Sequence, residues 1–484
     1  MAATSAALQS DKKRTRDLPG PGGKPLMGWR GNILPLLRKP IEYMEWLNHT
    51  YGDVVALTRG SSEFVFVFSP EYNRQVLSDQ MKFFNGAVNA PGSPVKIPEG
   101  SSAYRMFSGI TTRNAAQHTQ QRRLLMPAFH KKRIEALRDD MVALTERHIA
   151  GWKVGQEVDI LREMKGLTLA VAVKTILGLD PESEGDHVRR LMEEWLRMTL
   201  SPWVIAAPYN LPGSPFHKML VSAEQLEGEI KAMIARRRAA GNLSESKDAL
   251  SLLLEAHDED GARLTDDELI GHTTALFIAG HETTASALTW TLFLLDQHPA
   301  VLRDLLEEME EVLGGEAPTV ENMGRLKLLD NVIKESMRLL PPGLWFLRVA
   351  TEDTQFGEFR VPKGTRILWT PAVTHRRPEL YPQPKRFIPE RWETFDPSPY
   401  EYLPFGAGPR RCLGATFAMT EMKVVLPILL QKYRLALRPG AKIELGSSPL
   451  ATPRFGMPVQ ILARGKTPAR AQVEGNIHKI VDLT

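Results

Sequence analysis

The sequence predicts a mainly α fold with a smaller β-rich part, gathered into one large domain, and three observations carry that expectation. Helical apolar spacing dominates from about 118 to 340. Within it, Leu264–His298 has no proline until Pro299 and opens on Thr265-Asp266-Asp267-Glu268, a capping-box pattern. That allows one helix of about 30 residues, roughly 45 Å at 1.5 Å per residue, long enough to run through a core. Strand-like sequence is limited to 54–68, 344–370 and 441–463.

In chain order, residues 1–25 read as a flexible lead rich in Lys, Arg, Gly and Pro, ending at LPGPGGKP. Val54–Leu57 and Phe64–Phe68, split by Gly60-Ser61-Ser62, form a hairpin pattern. Residues 86–117 hold many Gly, Ser, Pro and Asn and are expected to form a long, partly mobile loop of functional type. Ser201–Pro215 separates two amphipathic helices with Pro202, Pro208, Pro212 and Gly213. A charge-rich helix over 302–313 stops at Gly314-Gly315, and another stops before Pro341-Pro342. The stretch 371–411 is irregular. It leads to a last helix over 413–432, where Leu413, Phe417, Val424, Val425, Ile428 and Leu429 keep helical spacing. No repeat or sustained linker divides 26–466, and 467–484 is expected as a C-terminal tail.

Composition narrows the function classes. With 43% hydrophobic residues the chain can bury a large core, and 61 Lys and Arg against 57 Asp and Glu leave it at +4. The basic runs Lys12-Lys13-Arg14, Lys131-Lys132-Arg133 and Arg236-Arg237-Arg238 are short, as on solvated faces, which argues against nucleic-acid binding. One cysteine excludes an intrachain disulfide framework and any zinc site of several Cys. No stretch has the roughly 18 apolar residues of a membrane span. MAATSAALQSDKKRTRD lacks the apolar core of a signal peptide. A soluble, cytoplasmic monomer without a membrane anchor is the expectation.

The lone cysteine sits in Phe405-Gly406-Ala407-Gly408-Pro409-Arg410-Arg411-Cys412-Leu413-Gly414. Gly406, Gly408 and Pro409 make a constrained turn, and free backbone N–H groups at a helix start, beside two arginines, favour a thiolate. Gly414 would let the backbone approach a flat, bulky cofactor. A buried structural cysteine, or a nucleophile with a distant His, accounts for the thiol but not for the surrounding pattern. That pattern, F-x-x-G-x-R-x-C-x-G, resembles the signature of the cytochromes P-450, of the soluble bacterial type. The resemblance implies a heme b whose iron takes Cys412 as axial ligand, with Phe405 on the thiolate side and Arg410 on a propionate.

Inside the long helix lies Ala279-Gly280-His281-Glu282-Thr283-Thr284. A buried carboxylate is costly unless paired or functional, Gly280 weakens the helix, and the threonines compete for its carbonyls. The pattern is similar to the family's A-G-x-[DE]-T-[TS], which implies proton delivery by Glu282 and Thr283. Ala275, Ala279 and Thr283 share one face, so Ala275 and Ala279 should border the substrate, with Leu344, Trp345 and Phe346 after the Pro-Pro-Gly break. Parts of 86–117, 201–216 and 448–453 should complete that lining. His281-Glu282 begins like H-E-x-x-H, but Ala285 stands where the second His belongs, which excludes that zinc site.

Glu335 and Arg338, spaced i and i+3, alone suggest a surface pair contributing roughly 0.2–0.5 kcal/mol. The family's E-x-x-R pattern instead joins them to Arg391 of Phe387-Ile388-Pro389-Glu390-Arg391-Trp392 as structural residues. His118 and Arg122, together with Arg348, match positions that contact the propionates, and His375 is expected to be structural. The resemblance implies a monooxygenase acting on a lipophilic small molecule such as a fatty acid, terpene or steroid. Electrons would come from a separate ferredoxin or flavodoxin and its NAD(P)H reductase, met by a basic face of Arg122, Arg123, Lys131, Lys132 and Arg411. The competing functions are a peroxide-driven hydroxylase and a non-enzymatic heme-thiolate carrier or sensor. Glu282-Thr283 argues against both.

Overall fold

The computed structural model describes residues 17–24, 29–86, 95–199, 201, 203–204, 207–241, 243, 246–446, 448–466 and 470–483. The Lys12-Lys13-Arg14 run, most of the lead, Pro202, residues 87–94 and 467–469 of the expected tail lie outside those residues.

Helices dominate, and the strands are short: β1 (Val54–Ala56), β2 (Phe64–Val67), β3 (Phe83–Asn85), β4 (Glu157–Asp159), β5 (Phe346–Ala350), β6 (Thr354–Phe356), β7 (Phe359–Val361), β8 (Arg366–Trp369), β9 (Tyr433–Leu437) and β10 (Pro458–Ala463). β1 and β2 form the expected antiparallel hairpin, with Val54 opposite Val67. They belong to a five-stranded sheet in the order β1-β2-β8-β5-β3, in which β8 runs parallel to β2. β4, β10 and β9 make a second sheet, and β6 with β7 a third.

The central helix, Asp266–Gln297, begins as its sequence requires. Thr265 accepts from the Glu268 N–H, and Glu268 accepts from the Thr265 N–H at 2.9 Å, so two free donors at the helix start are satisfied. From Ala285 to Gln297 every residue is buried. The helix packs along Ile160–Leu177 and runs through the largest apolar cluster beside Ala415–Lys432 and Lys327–Leu339. A Cβ on Gly271 would come within 2.8 Å of the Gly109 nitrogen, so the 108–110 backbone approaches the helix where neither residue has a side chain.

Three expectations change. The loop expected over 86–117 contains a helix, Ser102–Phe107, because Ser101 caps it by accepting from Tyr104 N at 3.2 Å and Ala103 and Met106 are buried. The described part of the lead is tied down: Ala56 and Arg59 donate to the Pro19 and Pro21 carbonyls at 2.8 and 2.9 Å. Residues 470–483 of the expected tail also pack back on the body. Ala471, Val473, Ile477, Ile480, Val481 and Leu483 are buried in the main cluster, an apolar set spaced to cover it. Among the described residues no helix is long and apolar enough to cross a membrane.

Candidate active site around the cysteine loop

The cysteine loop is shaped by two glycines in the left-handed region, Gly406 at φ +62° and Gly408 at φ +69°. A Cβ on Gly408 would overlap the Leu77 carbonyl, so the turn needs glycine there for space as well as for conformation. A 3-10 turn, Gly408–Arg410, follows, and the Cys412 N–H donates to the Phe405 carbonyl at 2.9 Å. Phe405 is half-buried against the main apolar cluster. The helix starts at Ala415 rather than directly after the cysteine, with Gly414 as its cap.

Burial raises the Cys412 thiol above its usual range, while the Gly414 N–H, Arg122 and Arg411 act to lower it. The side chain nevertheless keeps accessible surface. A thiol surrounded by protein yet reachable stands in the wall of a hollow, with positive groups on its flank.

Those positive groups form one cluster. His118 (2% exposed) has its pKa lowered to about 4 by burial and by Arg410, Arg122 and Arg348. Arg348, on β5, is lowered to about 9 by burial and Arg410. Arg410 is lowered to about 10 by burial and Arg122. Four residues from the helix Ala115–Leu125, strand β5 and the cysteine loop therefore meet in space. Among the described residues, none of the three arginines makes an ion pair. Arg410 donates to the Asn114 side chain at 2.7 Å and to the Arg113 carbonyl, and Arg348 to the Leu347 carbonyl at 3.1 Å. His118 Nδ1, Arg410 Nε, Arg113 Nε and Trp369 Nε1 are buried without partners. Buried cations and orphaned donors in one place call for an anion.

In its middle the central helix changes character. Ala279 and Thr283 are exposed one turn apart, and Ala275 is half-exposed on the same face, within a helix otherwise mostly buried. Thr283 Oγ1 donates to the Ala279 carbonyl at 2.6 Å and Thr284 Oγ1 to the Gly280 carbonyl at 3.0 Å. Glu282 turns toward the helix Ile160–Leu177 and pairs with Lys165 at 3.0 Å. That partner has no local signal, since it lies 117 residues away. Arg113 and Asn114 were also outside the sequence reading, because the loop that places them carries no periodicity.

The expected substrate residues after the Pro-Pro-Gly break divide. Phe346 is 39% exposed and stacks on Trp369 with centroids 4.6 Å apart, and Trp345 is half-buried. Leu344 does not present a surface: it is fully buried in the main cluster, held by its N–H to the Pro449 carbonyl at 2.8 Å. Leu344 lies ahead of β5, where that bond and the Gly343–Leu450 bridge pin the backbone against 449–451 and set the side chain in the cluster that also holds Leu340 and Ala451.

Glu335 and Arg338 lie beneath the cysteine loop's approach, fully buried, and Arg391 joins them at 3.0 Å. His375 sits beside them, its Nε2 accepting from Leu403 N at 2.7 Å. Among the described residues, no three His, Cys, Asp or Glu side chains are grouped to hold a bare metal ion.

Comparison with known proteins agrees with this arrangement. Residues 19–457 match the cytochrome P-450 family. Cyclooctatin synthase of Streptomyces melanosporofaciens is 34% identical over 448 residues, 90% of this chain and 94% of that protein. Cyclooctat-9-en-7-ol 5-monooxygenase of the same organism is 32% identical over 432 residues, 87% and 90% of the two chains. The solved structure of retinoic acid-bound cyanobacterial CYP120A1 superposes with a TM-score of 0.78 at 26% identity, covering 92% of this chain and 99% of that one. With the cysteine loop, the arginine cluster and likeness over nearly the whole length, the chain belongs to the cytochrome P-450 family and is a monooxygenase.

Proposed function

We propose that the protein oxygenates a cyclic, terpene-type hydrocarbon or its alcohol, using a heme b held by Cys412. The observation that carries the reading is the meeting of an accessible, protein-surrounded thiol with an arginine cluster that lacks any anion of its own. A planar iron macrocycle bearing two carboxylates fits both: Cys412 on the iron, and His118, Arg122, Arg348 and Arg410 on the carboxylates through charge-assisted hydrogen bonds. The orphaned donors His118 Nδ1 and Arg410 Nε are suited to that role. Bound heme would supply the dioxygen chemistry, with one oxygen atom entering the substrate and the other leaving as water.

The remaining work falls to this chain's side chains. Gly414 N–H, Arg122 and Arg411 favour the thiolate that burial alone would protonate. Thr283 presents a hydroxyl at the hollow, and Glu282, held by Lys165, stands where protons can pass inward from the solvent side. Ala275, Ala279, Trp345 and Phe346 border the substrate with few charges, so shape decides selection. Glu335, Arg338 and Arg391 position the cysteine loop. The bacterial relatives whose names specify cyclooctat-9-en-7-ol and cyclooctatin favour the terpene class over fatty acids. Electrons come from a ferredoxin or flavodoxin and its NAD(P)H reductase, docking on Arg123, Lys131, Lys132 and Arg411, all exposed, in the cytoplasm.

The test has two parts. Cys412→Ala should abolish the red-shifted Soret band of the ferrous carbon monoxide complex, and its persistence would refute the ligand. Cyclic terpenes and terpene alcohols should give substrate-binding spectral shifts, and turnover should require NADPH with partner proteins. Fatty acids shifting the spectrum while terpenes do not, or turnover with peroxide alone, would overturn the reading.

A further inference from the structure

The far end of the helix Ala415–Lys432, about 27 Å from the cysteine loop at 1.5 Å per residue, borders a groove of about 650 Å³. Small-molecule sites commonly span roughly 300–1,000 Å³. Leu302, Leu306 and Met309 of the helix Pro299–Leu313 line it together with Leu430, and Arg434 stands in the same lining. None of its lining residues belongs to the cluster around Cys412.

Arg434 is the unusual member. It is 8% exposed, and its guanidinium donates to the Leu430 carbonyl and to the Tyr433 carbonyl at 3.0 Å. Among the described residues no carboxylate pairs with it. Burial lowers its pKa, and Arg464 lowers it further. The acids nearby are otherwise engaged or turned away: Glu310 pairs with Arg464 at 2.6 Å. Asp296 accepts from Leu437 N at 3.0 Å and Gln297 Nε2 at 2.9 Å, and burial raises its pKa. A nearly buried cation without a counter-charge is costly, and an anion delivered by a ligand relieves that cost. Glu307, exposed in the lining and without an ion pair among the described residues, disfavours an anion of high charge.

We propose that this groove binds an amphipathic monoanion, a carboxylate on a hydrocarbon chain, with its head on Arg434 and its tail over Leu302, Leu306 and Leu430. The site is separate from the heme and does not depend on the terpene reading. Dodecanoate is the probe. The heme-loaded full chain is first saturated with a heme-coordinating azole, which blocks hydrocarbon uptake beside the iron, and dodecanoate is then titrated calorimetrically.

One equivalent should bind without changing the heme spectrum. Dodecanol, which has the chain without the charge, and inorganic phosphate, which has charge without the chain, should each bind about tenfold more weakly or not at all. Arg434→Gln should weaken dodecanoate by about tenfold or more, as expected for a charge-assisted contact. Because Arg434 also caps the end of its helix, Ala300→Trp provides a second variant: Ala300 lines the groove from an exposed position on another helix, so the indole takes up groove space while Arg434 itself is unaltered. Its affinity should fall similarly, with circular dichroism unchanged. Failure of dodecanoate to bind the azole-saturated protein overturns the proposal. So does equal binding of dodecanol, or full affinity in Ala300→Trp.

Discussion

Both carboxylate oxygens of Glu335 accept from the Arg338 guanidinium at 2.8 Å, with neither side chain reaching solvent. The same carboxylate accepts from Arg391 Nε, Trp392 Nε1 and Ile388 N, each at 3.0 Å. Arg338 spends its other N–H groups on the carbonyls of His375, Pro384 and Arg386. One helical turn thereby anchors the irregular stretch that precedes the cysteine loop. Removing one member leaves a buried charge without its partner, which typically costs about 3–5 kcal/mol. Glu335→Ala is therefore expected to lose stability of that order in urea unfolding and to retain heme poorly. A loss under about 0.5 kcal/mol, typical of surface positions, would show that the network does not hold the fold.

His118 gives the heme-free chain a definite pH dependence. Its pKa is about 4 in the folded protein, against 6.5 for a free histidine. The unfolded chain binds more protons between those values, so this part of the stability is complete above about pH 6.5 and lost as pH falls toward 4. His272, buried and likewise at about 4, adds a similar share. His118→Gln should reduce the slope of melting temperature against pH over that window without abolishing it. An unaltered slope would contradict the cluster's electrostatics.

Arg348 tests the same cluster in the loaded protein. Arg348→Leu removes a buried charge that pairs with no carboxylate among the described residues, so the heme-free chain should not be destabilised. Heme loss to an acceptor globin should accelerate by about tenfold or more, the worth of a hydrogen bond to a charged group. Equal heme retention in both proteins would remove Arg348 from the heme-binding set.

These residues also mark how far the sequence could be read. The central helix was legible to within two residues, because Thr265, Glu268 and Pro299 announce its ends locally. His118, Arg122, Arg348 and Arg410 were recognisable singly from motifs, and the folded chain brings them together. What motifs could not announce were relations across space. Lys165 meets Glu282 from another helix, and Arg113 reaches the cluster from an irregular loop. Leu344 was misread because its burial comes from backbone bonds that pin 342–344 to the distant 449–451 segment, which leave no local signal. The folded-back segment 470–483 was missed because its apolar residues are interleaved with Gly, Lys and Asp.

Thr283 offers a kinetic test. Its hydroxyl bonds the Ala279 carbonyl at 2.6 Å while the residue stays exposed to the hollow. Thr283→Ala removes that hydroxyl but leaves the apolar lining, so substrate-binding spectra should be preserved. Consumed NADPH should then appear increasingly as hydrogen peroxide in place of product. Unchanged product per NADPH would refute a role for Thr283 in proton delivery.

The last prediction concerns a latch between two helices, Ser102–Phe107 and Pro215–Ala240. Glu227, 4% exposed on the helix Pro215–Ala240, accepts from Ser102 Oγ at 2.5 Å and from Arg105 through two nitrogens, one at 2.7 Å. Burial by itself would raise the carboxyl, but these donors together with Lys231 bring it down to about 2. A depressed carboxyl contributes stability that is complete above its unfolded pKa near 4.5 and is lost as pH falls through about 2. The contribution is at most about 3 kcal/mol at neutral pH. Glu227→Gln keeps the shape and removes the charge, so it should melt lower than the parent at pH 6. The gap should narrow below about pH 4.5 and close only as pH falls through about 2. The same variant frees the short helix Ser102–Phe107 from its partner, so amide exchange over 101–108 should quicken in neutral solution. A gap that stays constant with pH would mean the carboxylate's charge is not what fastens this helix.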